Sequence, residues 1–402
     1  MRRLAALSLV FVLTGCAGEE RPVPPSPLQR ELRAFARDLE ATHPELFHDV
    51  SRDAFRGVAA RLADDAPRLS RAEVVVGLMR LTAMPGPRDG HTGIFPFDQH
   101  PRPLHAYPLR LYDFADGLYA VATLDGVDVV GRRLVAVAGT PVDEVVRLVR
   151  PLVPHDNQSS LRLRLPEYVT TAEVLRGLGI ADGDRVVFEF QGGIAATLEP
   201  RPADEVAASL GSARAPLPVP GDPVWHRELG DDQWLTTLEG GRVVYLGYRA
   251  TTGATDELAG ELLRLASGPR VRRVVVDVRL NHGGNNQTYG PLLDALARPD
   301  ISRKLVLITG RQTFSAAGNF VADVARHTQA RIIGELAGGA PSQWGDSVVL
   351  DLPHAGLVAH VATVYHDYGS AAAVRPDVEI EPTAADVLSG ADPVLDRALA
   401  LP

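Results

Sequence analysis

Apolar and polar positions change their spacing twice along the chain. Over residues 28–84 apolar residues recur every three or four positions, which predicts helices. Over 105–200 short apolar stretches alternate with turn residues, which favours strands. The strand candidates are Leu109–Phe114, Leu118–Thr123, Arg133–Val137 and Arg185–Gln191. From Val224 onwards apolar strands alternate with helices, as expected for right-handed βαβ crossovers in a parallel sheet. The pattern therefore predicts an α/β fold.

The same changes divide the chain into six predicted segments. They are a signal peptide (1–15), a Pro-rich tether (16–27), an N-terminal helical region (28–104), an α+β insert (105–200), a linker (201–223) and an α/β core (224–402). Within the insert, the stretch from Gly131 to Pro141 and the helical Val142–Val149 resemble the second half of a PDZ-like module. Such modules bind extended peptides at a sheet edge. Composition alone describes this segment only as a small α+β insert.

The N-terminus has the features of an export signal. Arg2 and Arg3 precede an apolar run, Leu4 to Leu13, that is shorter than the roughly 20 residues needed to span a bilayer. The run ends in Leu-Thr-Gly-Cys16, which resembles the lipobox of bacterial lipoproteins, where the cysteine is lipidated. We therefore expect a protein that is lipid-anchored through Cys16 in the cell envelope and faces outside the cytoplasm. An ordinary secretory signal with a cysteine near its cleavage site is the alternative.

Composition excludes several kinds of site. The net charge of −9 disfavours a nucleic-acid partner, and the single cysteine excludes an internal disulfide or a cysteine-clustered metal site. His354, His360 and His366 have even spacing, so one strand would present all three on one face. No ligand motif such as HExxH accompanies them. We therefore predict no metal and no cofactor, and the sequence leaves the oligomeric state open.

Three short segments carry the candidate chemistry. Ser315 follows a predicted strand and begins a predicted helix, where free backbone N–H groups favour negative charge. Ser315 or Thr313 could equally be only a helix cap. The Gly283–Gly284 pair follows another apolar strand, and its N–H groups could line a cleft or belong to an ordinary loop. His91 lies on a Gly-rich loop and is either a general base or a structural histidine.

Together these segments resemble the S41 (tail-specific, C-terminal processing) serine peptidases. Six motifs occur in the family's order. They are Asp89-Gly-His-Thr92, Asp277-Val-Arg-Leu-Asn-His-Gly-Gly284, Thr313-Phe-Ser-Ala-Ala317, Ile333-Gly-Glu-Leu-Ala-Gly-Gly339, Arg375-Pro-Asp377 and Gly390-Ala-Asp-Pro-Val-Leu395. The resemblance implies a core of ββα units that form a ClpP- or crotonase-like spiral, with a PDZ-like insert and an N-terminal helical region.

The resemblance also assigns roles to residues. One branch of the family uses a lysine after the serine, but the only lysine here, Lys304, precedes Ser315. The tricorn-like branch, with a histidine base, is therefore implied. Ser315 would be the nucleophile and His91 the base. The N–H groups of Gly283 or Gly284 and of Ala316 would hold the oxyanion.

The third catalytic residue is where the sequence departs from the family. The histidine branch has a glutamate before the Pro-Asp element, and this chain has none there. Asp367 is the nearest candidate for the orienting carboxylate, with Glu335 and Asp89 as alternatives.

The predicted function is a serine endopeptidase that cleaves exported polypeptides through an acyl-enzyme. The alternative is an inactive lipoprotein scaffold that binds peptides or hydrophobic ligands. An esterase is a weaker hypothesis, because no GxSxG motif surrounds Ser315.

Overall fold

The computed structural model describes residues 24–124, 126–369 and 373–401. The predicted signal peptide and Cys16 lie outside the described residues. Among those residues no helix combines the length and the apolar character that a bilayer crossing requires.

Three helices form the N-terminal region, as the spacing predicts. They are α1 (Pro27–Thr42), α2 (Arg52–Asp65) and α3 (Arg71–Ala83). Ser70 accepts a hydrogen bond from the backbone of Glu73, whose side chain accepts one from Ser70 in return. This capping box fixes the start of α3. The loop that follows α3 carries His91.

The middle of the chain contains the four predicted strands at nearly the predicted positions. Its strands are β1 (His105–Ala106), β2 (Leu109–Phe114), β3 (Gly117–Thr123), β4 (Leu134–Val137), β5 (Thr140–Pro141), β6 (Val186–Phe190), β7 (Ile194–Leu198) and β8 (Arg201–Pro202). Its helices are α4 (Val142–Val149), the 3₁₀ turn Arg150–Leu152, α5 (Gln158–Val169) and α6 (Ala172–Gly177). A four-stranded sheet has the order β5-β4-β6-β7. Its identity as a PDZ-like module stays a prediction.

The predicted linker contains regular structure. Within 201–223, helix α7 (Ala203–Leu210) forms because Ala203 and Val206 are buried against neighbouring apolar residues. Ala- and Pro-rich composition suggested a linker, yet alanine also has the highest helix propensity. The segment after α7 crosses toward the core and ends in a 3₁₀ turn, Val224–His226.

A six-stranded sheet forms the centre of the C-terminal core. Its strands are β9 (Gln233–Leu238), β10 (Val243–Tyr248), β11 (Arg273–Asp277), β12 (Leu305–Thr309), β13 (Arg331–Gly334) and β18 (Val378–Glu379). The spatial order is β18-β13-β12-β11-β10-β9; only the β9–β10 pair is antiparallel. The helices around it are α8 (Asp256–Ala266), α9 (Gly290–Ala297), α10 (Pro299–Ser302), α11 (Ala316–His327), α12 (Ala384–Ser389) and α13 (Pro393–Ala400). This arrangement confirms the α/β prediction.

Both faces of this sheet are covered by apolar side chains. Val244 and Leu246 pack toward α8, α9 and α11, whereas Val243 and Tyr245 pack toward α13. Coverage on both faces explains why β11 and β12 are nearly continuous apolar runs. The polar groups at the carboxyl ends of β11 and β12 therefore lie at the edge of an otherwise apolar core.

Two small β-structures follow β13 and lie beside the N-terminal region. They consist of β14 (Gln343–Gly345) paired with β17 (Val364–His366), and β15 (Val348–Leu352) paired with β16 (Leu357–Val361). The expectation that His354, His360 and His366 share one strand is wrong, because they lie in a turn, in β16 and in β17. The two pairs continue one antiparallel register, so the chain reverses direction once, at the turn that carries His354. Residues of β15 and β16 pack into the same apolar core as α1–α3 and the insert.

Candidate active site

Ser315 lies at the junction between β12 and α11. It occupies the position before the first helical residue, but its hydroxyl makes no capping hydrogen bond. Its φ is +55°, a left-handed conformation that a non-glycine residue adopts at a cost in energy. Thr313 instead holds the loop: its hydroxyl donates to Val278 O (2.7 Å) and accepts from Gly310 N (3.1 Å). A capping role therefore does not account for Ser315.

The Gly283–Gly284 loop lies directly against Ser315. It follows β11, the neighbour of β12 in the sheet, so the two loops emerge at the same edge. Gly283 has φ +97°, and a Cβ there would come within 2.7 Å of Ser315 Cβ. The close approach explains why glycine is needed at this position.

Only part of the predicted oxyanion site has free N–H groups. The backbone N–H of Gly283 donates to Asn281 Oδ1 at 2.8 Å, so the prediction that Gly283 serves as an oxyanion donor is not supported. The N–H groups of Gly284 and Ala316 donate to no other group that the structure describes. These two are the donors that remain for a developing negative charge.

His91 meets Ser315 although 224 positions separate them in the chain. Its Nε2 lies 3.0 Å from Ser315 Oγ, within hydrogen-bond distance. The imidazole is stacked on Phe314, with ring centroids 4.7 Å apart. The two sequence-predicted groups are thus brought together, and a neutral imidazole at this distance has the geometry of a general base.

The loop that carries His91 is held from several directions. Gly93 and His360 exchange two backbone hydrogen bonds of 2.9 Å, and Thr92 Oγ1 accepts from Ala362 N at 3.1 Å. On the other side, Arg164 donates to Gly90 O at 2.6 Å. The loop is therefore attached both to β16 and to α5.

Burial and two positive charges, those of Arg164 and Arg214, lower the pKa of His91 to about 3. Burial is the largest of these causes, because it disfavours the charged imidazolium. The negative charge of Asp89 and the backbone of Trp344 act in the opposite direction. His91 is consequently neutral at physiological pH, with its Nε2 lone pair available to Ser315.

The predicted orienting carboxylate does not reach His91. Asp367 Oδ1 accepts hydrogen bonds from Gly369 N (3.0 Å) and Ser342 Oγ (3.4 Å). Glu335 forms an ion pair with Arg311 at 2.7 Å. Among the described residues, no side chain bonds His91 Nδ1, and the backbone of Trp344 is the group that interacts with this side of the imidazole. The Ser315–His91 pair is therefore assembled without a carboxylate bound to Nδ1.

Asp89, the third alternative, belongs to a buried cluster behind the site. Its Oδ2 lies 3.1 Å from His43 Nε2 and 3.9 Å from His48 Nε2. Trp344 packs on both histidines, with ring centroids 4.7 and 5.8 Å away. His43 Nδ1 accepts from Glu45 N, so its proton is on the nitrogen that faces Asp89. Burial raises the pKa of Asp89, but its contacts with the two histidines and with Thr92 outweigh burial and lower that pKa to about 2.

Asp156 is a site residue that the sequence analysis missed. It is buried, and its two oxygens accept from Gly90 N (2.7 Å) and Ala340 N (3.0 Å). Burial raises its pKa to about 7, against the lowering effect of these two bonds. Asp156 thereby joins the His91 loop to the loop after β13. Neither spacing nor a motif marks it in the sequence, because its partners are backbone groups far along the chain.

The Asp277–Arg279 motif connects elements of the core. Arg279 Nε bonds Asp277 at 2.9 Å, and its Nη1 bonds Asp392 at 3.0 Å. Tyr245 donates to Asp277 at 2.7 Å. Asp392 also caps α13. This network links two of the sequence motifs and has a structural role. Among the described residues, no group of three or more His, Cys, Asp or Glu side chains is arranged to hold a metal ion.

Known structures share this architecture. A point mutant of CPAF covers 90% of this chain and 94% of its own, with a TM-score of 0.60 at 13% identity. Mature CPAF and its complex with lactacystin have the same coverage and identity, with TM-scores of 0.57 and 0.58. The chain has the S41-peptidase fold. No family model matches the sequence, and no curated protein is similar to it in sequence. At 13% identity the S41 likeness concerns the fold, and the fold prediction is confirmed.

Proposed function

We propose that the protein is a serine-type endopeptidase with a Ser-His mechanism. The observation that carries the proposal is the 3.0 Å distance between His91 Nε2 and Ser315 Oγ, beside the unpaired N–H groups of Gly284 and Ala316. A strained, uncapped serine next to a neutral imidazole is the arrangement that nucleophilic acyl transfer requires. The likeness to CPAF in fold supports the same reaction class.

The reaction follows from these groups. Ser315 Oγ attacks the peptide carbonyl carbon while His91 Nε2 accepts the hydroxyl proton. The carbonyl oxygen gains the negative charge, which the N–H groups of Gly284 and Ala316 stabilise. His91 then donates its proton to the amine, which leaves as the C–N bond breaks. Water, deprotonated by His91, cleaves the acyl-enzyme and restores Ser315.

Cleavage of an unfolded protein tests the proposal. With fluorescein-labelled casein, wild type should release soluble peptides, and Ser315→Ala should lower the rate by about 10⁴-fold or more. Ser267→Ala is the matched control, because that exposed hydroxyl only donates to Leu263 O within its own helix. If Ser315→Ala retains the wild-type rate, Ser315 is not the nucleophile.

The absence of a carboxylate at Nδ1 of His91 favours one competing function. Without an orienting carboxylate, the same fold could serve as a lipoprotein scaffold that binds peptides without cleaving them. The casein assay separates the two, since a scaffold binds labelled casein and leaves it intact.

We also propose that the substrates are exported polypeptides and that the protein is anchored in the cell envelope through lipidated Cys16. The basic and apolar N-terminus and the Leu-Thr-Gly-Cys16 sequence support this placement. Cys16→Ser should move the protein from the membrane fraction to the soluble fraction. If the protein stays with the membrane without an acyl modification on Cys16, the anchor is wrong.

A further inference from the structure

A cavity of about 220 Å³ lies beside the Ser315–His91 pair. Phe314 and His282 line it, and these residues directly precede Ser315 and Gly283 in the chain. The cavity therefore borders both loops of the candidate site. Its volume has room for one side chain or one chain terminus of a bound polypeptide.

The two acidic residues that line this cavity already have partners, and the pKa of one of them is raised. Asp98 lies 2.9 Å from His360 Nε2. Glu167 accepts a hydrogen bond from Ala213 N at 2.6 Å, and burial raises its pKa. Neither carboxylate is therefore a strong free acceptor for a cation from outside.

Neither of the two arginines that line the cavity lies within ion-pair distance of a described carboxylate, although both attract Glu167 from farther away. The Arg164 guanidinium lies over the ring of Phe314 at 4.7 Å and donates to the backbone carbonyls of Gly90 and Pro154, while the carboxyl groups of Asp156 and Glu167 attract its charge from beyond ion-pair distance. Arg214 is exposed, and its charge lowers the pKa of His91 and of His282. Arg214 is therefore the cationic side chain of the cavity that is exposed and bonded to no carboxylate among the described residues.

The backbone of Arg214 is fixed at this place. His282 Nε2 donates to Arg214 O at 2.8 Å, and the next carbonyl, that of Ala215, accepts from Gln312 Nε2 at 3.1 Å. Both donors belong to the loops that carry Gly283 and Ser315. The backbone of Arg214 is thus held in place, whereas its guanidinium has no hydrogen bond to a described residue.

We propose that this cavity is a subsite for a carboxylate of the polypeptide substrate, and that Arg214 selects it. The proposal rests on the proposed function for the identity of the ligand. A carboxylate bound here gains a charge-assisted hydrogen bond from Arg214, while the aromatic wall excludes water. An acidic side chain and a free C-terminal carboxylate share this chemistry.

Binding to a non-cleaving variant tests the subsite without catalysis. Fluorescence anisotropy measures the affinity of Ser315→Ala for labelled peptides that are neutral except for one Glu, which is placed at a different position in each peptide. Each peptide is compared with its twin, the same peptide with Gln in place of that Glu. A further pair has a free or an amidated C-terminus. At one position, or at the terminus, the carboxylate form should bind about tenfold tighter. The position that responds shows which source of carboxylate is used.

The same measurement in double variants assigns the preference to Arg214. Adding Arg214→Gln should reduce the carboxylate preference to about onefold, and adding Arg214→Lys should retain part of it. Arg303→Gln removes the same charge from an exposed site after α10 and should leave the ratio unchanged.

Three results would overturn the subsite. These are equal binding of all twins to Ser315→Ala, an equal weakening of both twins by Arg214→Gln, or no peptide binding at all. Failure of the casein assay alone would remove the peptidase and leave the anisotropy result to decide the subsite.

Discussion

The two loops that meet at the candidate site are held in different ways. The Ser315 loop is fixed by its own Thr313 and by the Gly283 loop, which follows the neighbouring strand. The His91 loop is fixed by the side chain of Arg164 from α5 and by that of Asp156, two residues before this helix, together with the backbone of β16. One loop is held mainly by residues of its own motifs, the other by distant residues.

This difference explains which half of the site can be read from a sequence. A tight strand-to-helix connection forces particular residue types at particular positions, so its pattern is recognisable. A loop held by distant side chains needs only some donor or acceptor at each contact, and no fixed spacing results. The predictions below perturb the Ser315 loop and the His91 loop separately.

The largest effect should come from Gly283→Ala. The new Cβ would lie 2.7 Å from Ser315 Cβ and 2.8 Å from Ala316 N in a left-handed conformation, so the nucleophile must move. We expect casein cleavage to fall at least 100-fold, because a displacement of about 1 Å can cost that much. Circular dichroism should show a folded protein.

Gly290→Ala is the matched control for this change. A Cβ at Gly290, the first residue of α9, meets nothing within 4 Å and its φ is not positive. It should leave cleavage unchanged. Equal activity in both variants would show that close packing of the glycine loop against Ser315 does not matter.

On the opposite loop, Asp89→Asn should lower turnover by about 10-fold to 100-fold. The amide loses the charge that faces His43 and His48, and Asp89 lies two residues before His91. Asp89 is thus a positioning residue. KM should change little while kcat falls, and His43→Gln should add little further loss in the Asn variant because both act through one contact. Independent, additive losses would contradict that coupling.

Asp156→Asn should cost stability more than turnover. At pH 5.5 we expect a loss of about 1–3 kcal/mol in the free energy of unfolding, because the amide has a single acceptor oxygen and one of the N–H groups of Gly90 and Ala340 loses its partner. The loss should shrink by pH 8. The pKa of Asp156 is raised to about 7 in the folded protein, so folding favours its protonated form. This stabilisation of the wild type is complete below the pKa of the unfolded state and is lost as the pH rises through 7.

Urea unfolding at the two pH values measures this difference. Asp182→Asn, an exposed carboxylate without a described partner, should change stability at neither pH. A penalty for Asp156→Asn that grows from pH 5.5 to pH 8 would show that the carboxylate is stabilised in its charged form.

The smallest predicted effect is the dependence of kcat/KM on pH through the general base His91. Because the pKa of folded His91 is about 3, it is already neutral from pH 5 to 8. In the Asp156→Asn background, which removes the nearby group that titrates near 7, kcat/KM should be nearly flat over this range. A one-proton loss of activity with a midpoint near 6.5 would show that His91 is not shielded from solvent.

The sequence predicted the sheet strands and α11 well, because long apolar periods determine them. It also predicted that Ser315 and His91 would meet, through motifs that occur in order. It failed for Asp367, since nearness in sequence to the Pro-Asp element does not place a carboxylate at Nδ1. It failed for Gly283 as an oxyanion donor, because Asn281 takes that N–H. Asp156 and His43 were missed because their roles depend on tertiary contacts alone.

Activation of Ser315 by His91 is the central claim, and the rate of covalent labelling tests it most directly. The second-order rate constant for a fluorophosphonate probe should be measured for wild type and His91→Ala, with the labelled peptide identified by mass spectrometry. We predict label on Ser315 and a rate reduced by about 10²–10⁴-fold without the imidazole. Labelling at an undiminished rate in His91→Ala, or no labelling of wild-type Ser315, would contradict the account.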